Sequence, residues 1–159
     1  MFPNEINIVQ DIAYKTWPVT YQRILTTEEL QYMLNAFYSL EALNENLNSG
    51  HHFLLAKAKD KPLGFASYVH NHPEKLTTKI PKIYVLPETQ GKGIGRLLIE
   101  KIENEARKNQ MTTITLNVNR KNPAKTFYEN LGFTAVREEN IPIGNNIFQE
   151  DYVMEKSLG

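Results

Sequence analysis

Six residues, Gln90-Gly91-Lys92-Gly93-Ile94-Gly95, constrain this chain more than any other stretch. They lie between an apolar strand-like run, Ile83-Tyr84-Val85-Leu86, and an amphipathic segment that starts near Ile94. Alternating glycines let the backbone turn tightly and point several N–H groups at one spot. A helix beginning there adds the positive end of its dipole. A strand, glycine loop and helix in this order form a ready site for phosphate or pyrophosphate.

The loop alone does not name its ligand. A nucleotide P-loop needs Ser or Thr after its Lys to hold magnesium, and Lys92 is followed by Gly93. The dinucleotide fingerprint also fails, because Arg96 stands three residues after Gly93. The stretch that would supply an acidic ribose ligand reads Asn109-Gln110-Met111. A glycine-rich turn without a ligand is the plainer alternative.

A length of 159 residues suits one domain, 1–159, with a real core. Lys+Arg and Asp+Glu balance at 18 each, which argues against an electrostatic nucleic-acid binder. There is no cysteine, hence no disulfide, thiolate nucleophile or cysteine–zinc site. No apolar run approaches the roughly 18 residues of a membrane span. The stretch Met1-Phe2-Pro3-Asn4-Glu5 lacks the basic start and apolar core of a signal peptide. The expectation is a cytoplasmic protein that engages neither nucleic acid nor membrane.

Asn4-Glu5 predicts a cap for a helix reaching about Trp17, with Ile6, Val9, Ile12 and Ala13 on one face. Pro18 is expected to end or bend it. Thr26-Thr27-Glu28-Glu29 is a second cap signal, before Leu30, Met33, Leu34 and Phe37 at helical spacing. Leu40, Leu43 and Leu47 suggest a short helix stopped by Gly50. Strands follow at His51–Ala58, Pro62–Val69 and Lys79–Leu86, and Pro81 suggests an edge position or a bulge in the last. A helix over Ile94–Lys108 carries Ile94, Leu97, Leu98, Ile102 and Ala106 on one face. Then come a strand over Thr112–Val118, a helix from Pro123 to Asn130 broken by Gly132, and a hairpin. The hairpin pairs Phe133–Arg137 with Phe148–Glu155 around Gly144-Asn145-Asn146.

The segment from Leu116 to Phe133 contains N-x-A-x-x-F-Y-x-x-x-G-F, reached through Asn117-Val118-Asn119-Arg120-Lys121 and running from Asn122 through Ala124, Phe127 and Tyr128 to Gly132-Phe133. With Q-x-x-G-x-G before it, in this order and spacing, the chain resembles the GNAT N-acetyltransferase superfamily from about Phe53 to Phe133. The resemblance implies an α/β (α+β) three-layer sandwich with a mixed, mostly antiparallel sheet. Its central pair, the strand before the loop and the 112–118 strand, is expected to splay. The family's first N-terminal strand is expected to be missing. An open sheet edge would then favour a homodimer.

The resemblance also implies acetyl-CoA as cofactor. Its pyrophosphate would rest on the amides of Gln90, Gly91, Lys92, Gly93, Ile94 and Gly95, with Arg96 and Lys92 adding positive charge. Surface charge is the plain reading of both side chains. Ile83, Tyr84 and Val85 would pair their backbone with the pantetheine arm. Amides freed by the splay can polarise the acetyl carbonyl. Asn117 is either a cofactor or substrate contact or a turn residue. Asn122, just before Ala124 and its helix, is a helix cap, a cofactor ligand, or both. Tyr128 is the implied catalytic residue, a phenol (ordinary pKa about 10) that donates a proton to the leaving thiolate. Phe127 is the better candidate for pure packing. Trp17, Tyr21 and Tyr84 are the implied acceptor residues, with a hydrophobic cluster as the rival reading for Trp17.

No general base carries over, since Thr77-Thr78-Lys79-Ile80-Pro81-Lys82 has no carboxylate. His51, His52, His70, His72, Glu74 and Tyr84 are candidates. His70-Asn71-His72-Pro73 reads as a turn, and no metal is assigned. The pattern of T-W-P-x-T-Y, I-Y-V, the glycine loop, F-Y and Asp151-Tyr152-Val153-Met154-Glu155-Lys156 is similar to the bacterial PaiA-type group, which includes spermine and spermidine acetyltransferases. A polyamine would want clustered carboxylates, for which the chain offers Glu41, Glu45, Glu74, Glu138, Glu139, Glu150 and Asp151. The expected activity is acetyl transfer to a primary amine by direct attack in a ternary complex, since no cysteine can carry the group. Acetylation of a peptide or xenobiotic amine, a non-catalytic acyl-CoA sensor, and nucleotide binding at the loop remain as alternatives.

Overall fold

Helix α1 spans Ile6–Tyr21 because Ile6, Val9, Ile12, Ala13, Thr16, Trp17 and Tyr21 form one buried face. The computed structural model describes residues 5–159. Asn4, expected as a cap, lies outside the described residues. Glu5 does not cap α1. Its backbone is already helical, and its carboxylate accepts from Lys57 at 3.0 Å. Pro18 sits inside α1 rather than ending it at Trp17. A helical proline loses one hydrogen bond and costs about 3 kcal/mol. Burial of the large rings of Trp17 and Tyr21 on either side offsets that cost.

By contact the chain divides into two compact units, Met1–Val69 with Lys82–Ile102, and His70–Pro81 with Glu103–Gly159. In the first, α1 is followed by α2 (Thr27–Tyr38) and α3 (Leu40–Asn48). The expected cap of α2 is a full capping box, in which Thr26 Oγ1 accepts from the Glu29 amide and Glu29 accepts from the Thr26 amide. Strands β1 (His52–Ala58) and β2 (Lys61–His70) form an antiparallel hairpin in which His52 faces Tyr68 and Ala58 faces Lys61. Strand β3 (Thr77–Val85) approaches β2 closely at Gly64, where a Cβ would lie 2.8 Å from the Tyr84 carbonyl oxygen. A 3-10 turn over Pro87–Thr89 then leads to α4 (Ile94–Lys108).

The second unit holds the start of β3, the end of α4, β4 (Thr113–Asn119), α5 (Ala124–Asn130), β5 (Thr134–Gly144) and β6 (Ile147–Ser157). Strand β3 runs parallel to β4, pairing Thr77 with Thr113 through Ile80 with Leu116. Strand β6 is antiparallel to both β4 and β5. The six strands hydrogen-bond in the order β1-β2-β3-β4-β6-β5. The expected α/β class with a mixed, mostly antiparallel sheet is therefore met.

Several expectations need correction. Strand β3 is interior, not an edge. Its ladder to β4 stops immediately before Pro81, which has no N–H to give. Leu97, placed on the buried face of α4, is 60% exposed, and Ile99 takes the core position beside Leu98. The terminal hairpin is longer than expected, because β5 continues through Glu138-Glu139-Asn140 and on to Gly144. Its two-residue turn, Asn145-Asn146, has φ of 51° and 58°, the primed geometry that suits the twist of paired strands. Among the described residues no helix is long and apolar enough to cross a membrane.

Candidate active site

The glycine loop sits in the first unit. Gly91 and Gly93 adopt φ of 83° and 80°, a region that side chains with a Cβ rarely enter. A Cβ on either would meet nothing within 4 Å, so their requirement is conformational and the space beside them is open. Thr89 anchors the base of the loop, its hydroxyl donating to Leu86 O at 2.9 Å. Gln90 donates its side-chain amide to Val85 O at 3.3 Å. Helix α4 starts at Ile94, and its first amides lack acceptors within the helix. Gly95 keeps the helix surface small there. Lys92 is exposed, and Arg96 pairs with Glu100 on the solvent face at 3.2 Å. An open cradle of amides at a helix N-terminus, with two cations nearby, fits a pyrophosphate.

The acceptor candidates gather in the same unit. Trp17 lies at the centre of an aromatic cluster, with ring centroids 4.6 Å from Tyr21, 5.7 Å from Tyr84 and 5.6 Å from Tyr38. It is buried and pins helix to helix. The hydroxyls of Tyr21 and Tyr84 are 2.9 Å apart. Tyr84 is half-buried, and Ile83 and Val85 flank it in β3.

Sequence reasoning missed two members of this cluster, Tyr38 and Lys82. Tyr38 is fully buried, and burial pushes its hydroxyl well above the ordinary tyrosine value. Lys82 is 9% exposed, and burial pulls its ammonium down to about 8. Its Nζ donates to Asn46 Oδ1 at 3.0 Å and lies 5.4 Å from the Tyr38 ring centre. The available signal was strand period: Lys82 falls two residues after Ile80 and two before Tyr84, on the core-facing side.

The second unit carries the remaining candidates. Tyr128 is 8% exposed on α5, edge-on to Phe133 at 6.0 Å and to Phe127 at 5.2 Å. Phe127, expected to be the packing residue, is 38% exposed, and Tyr128 is the more buried of the two rings. Asn117 is not a turn residue. It lies within β4, opposite Val153, and donates its amide to Asp151 Oδ2 at 3.2 Å. Burial raises the Asp151 carboxyl above the usual value, and Glu139 adds to this, while the Asn117 hydrogen bond, Arg120 and Lys79 oppose it. Asn122 caps the start of α5 in part: its Oδ1 accepts from the Ala124 amide at 2.9 Å, with Pro123 between them.

The base candidates are spread over separate elements. His51 precedes β1, and His52 opens it and stacks on Tyr68. His70 Nδ1 contacts Thr78 Oγ1 at 2.8 Å, and His72 and Glu74 are exposed in the following loop. Three of the acidic candidates are paired with arginines. Glu138 and Glu150 flank Arg120 at 4.0 and 3.8 Å, and Glu139 pairs with Arg137. Glu41, Glu45 and Glu74 are exposed. Among the described residues no three His, Asp or Glu side chains come together as a metal site.

The chain's fold is similar to that of PaiA N-acetyltransferase from Thermoplasma acidophilum, solved in complex with coenzyme A. The identity is 25%, covering 99% of this chain and 95% of that one, with a TM-score of 0.81. A GCN5-related N-acetyltransferase from Rhodopseudomonas palustris is 20% identical over 99% of this chain and 92% of its own, with a TM-score of 0.82. A GNAT-family acetyltransferase from Staphylococcus aureus is 17% identical over 100% and 96%, with a TM-score of 0.75. No curated protein matches by sequence. The profile of the acetyltransferase (GNAT) domain matches residues 21–150. The chain belongs to that family and is an N-acetyltransferase, with acetyl-CoA as its acetyl donor.

Proposed function

We propose that residues 1–159 act as one acetyltransferase domain that moves acetyl to a primary amine by direct attack in a ternary complex. The open left-handed glycines at the N-terminus of α4 carry this reading. The amides of Gln90 through Gly95 would hold the pyrophosphate, with Lys92 and Arg96 nearby. The backbone of Ile83, Tyr84 and Val85 would align the pantetheine arm, and Asn117, Asn122 and Ala124 would contact the same ligand. Bound acetyl-CoA supplies an activated thioester. Trp17, Tyr21 and Tyr84 would receive the amine and exclude water from it. As the amine nitrogen bonds to the acetyl carbon and the carbon–sulfur bond breaks, Tyr128 Oη would give its proton to sulfur, and the proton released by the attacking nitrogen would return through water to restore the phenol.

The test is thiol release from acetyl-CoA against spermidine, spermine, other small amines and short peptides, with Tyr128→Phe beside the native protein. Turnover on one amine class, reduced about 100-fold or more in the variant, is the expected result. Coenzyme A binding without turnover on any amine would replace this reading with an acyl-CoA sensor. A polyamine acceptor is the second reading, favoured by the likeness to PaiA at 25% identity.

A further inference from the structure

Strand β3 carries a cation where its alternation reserves a core position. Lys82 is nine-tenths buried. Among the described residues, no carboxylate lies within ion-pair distance of it. Its ammonium has one neutral partner, the Asn46 carbonyl oxygen, and the face of Tyr38. A buried lysine without an acid destabilises the fold unless something else compensates the charge. Tyr38 is in turn 6.5 Å from Tyr84 and 5.6 Å from Trp17, so the ammonium borders the aromatic cluster already described. Such a cation repels a second positive charge and attracts an anion.

We propose that Lys82 is an anion subsite of the acceptor pocket, binding a carboxylate carried by the amine, so that the enzyme prefers small aminocarboxylates to polycations. This rests on the reading that Trp17, Tyr21 and Tyr84 receive the acceptor. The carboxylate completes the partner set of Lys82, while the rings enclose the stem between carboxylate and amine. Asn46 fixes the ammonium, and Tyr38 is the titratable group facing it. No charged side chain contributes to the downward shift of Lys82, which burial alone produces.

The experiment compares kcat/KM for amino acids of graded chain length with their carboxamides, which keep the amine and lose the charge. Native protein, Lys82→Gln and Lys82→Arg are measured, with circular dichroism confirming that each is folded. The native enzyme should favour acid over amide by about tenfold or more, as a charge-assisted hydrogen bond provides. The ratio should fall towards one in Lys82→Gln and be largely retained in Lys82→Arg. A second arm needs no turnover. The Lys82 side chain, followed by NMR with 13C-labelled lysine, should titrate at higher pH when phenylacetate or butanoate is added. A ratio insensitive to Lys82→Gln, a preference for spermidine, or a Lys82 signal that ignores both carboxylates overturns the proposal. Absence of turnover on every amine, with the NMR shift intact, overturns the acceptor reading and leaves the anion subsite standing.

Discussion

Tyr21 on α1 and Tyr84 on β3 meet through their hydroxyls at 2.9 Å, beside the ring of Trp17. This contact fixes the orientation of both phenols within the aromatic cluster. Tyr21→Phe should reduce stability by about 1 kcal/mol, the worth of one hydrogen bond. It should also raise KM for the amine while leaving KM for acetyl-CoA unchanged. Tyr84→Phe should add little to Tyr21→Phe, because the two share one interaction. Urea unfolding and steady-state kinetics on the double-mutant cycle check this; full additivity would rule the coupling out.

Gly93→Ala places a side chain at a φ of 80° with open space around it. The left-handed backbone makes the change unfavourable by about 1–2 kcal/mol, without any clash. On the proposed reading the loop amides hold coenzyme A beside this position. Coenzyme A affinity should fall about tenfold, equivalent to one lost hydrogen bond. Calorimetric titration of both proteins with coenzyme A measures it, and equal affinities would remove the loop from the binding site.

Asp151 is a carboxyl whose folded-state pKa is raised, chiefly by burial. Its contribution to stability is fully present below the unfolded value, near 3.8, and is lost as pH rises through the folded value. Asp151→Asn removes this titration. The stability of the native protein relative to the variant should therefore decline as pH rises above the unfolded value, near 3.8. Denaturant midpoints at rising pH supply the measurement, and an advantage growing with pH would contradict the buried position.

Lys82 titrates the other way. Its folded value of about 8 lies below the ordinary 10.5, so the folded state binds fewer protons between those values. Below about 8 the buried charge destabilises the fold, by up to about 3 kcal/mol for a shift of this size. That penalty disappears as pH rises towards 10.5. Lys82→Met should accordingly stabilise the protein at neutral pH, with the gain shrinking above about pH 8. Thermal melts of the two proteins from about pH 6 to about pH 10 follow the difference.

Strong local signals were legible in the sequence. Thr26 with Glu29 announced α2, Gly50 and Gly132 marked ends, and the glycine loop sat where α4 begins. Signals that depend on distant neighbours misled. Pro18 stops an isolated helix, yet Trp17 and Tyr21 find rings on α2 and β3 that hold α1 together past it. Pro81 suggested an edge, yet β3 is flanked on both sides, with the proline placed where the parallel ladder ends. Phe127 and Tyr128 are adjacent, and only the docking of α5 decides which one is buried.

The sequence by itself determined the family, the glycine loop and the order of helices and strands. These follow from backbone conformation and short-range periodicity, which neighbouring residues impose on one another. Only the tertiary structure decided that Lys82 is a buried cation with no acid partner among the described residues, that Asn117 is held by Asp151, and that Glu138 and Glu150 converge on Arg120. Burial and pairing of charge depend on residues far apart in the chain. The environment that sets their chemistry exists only once those residues are packed together.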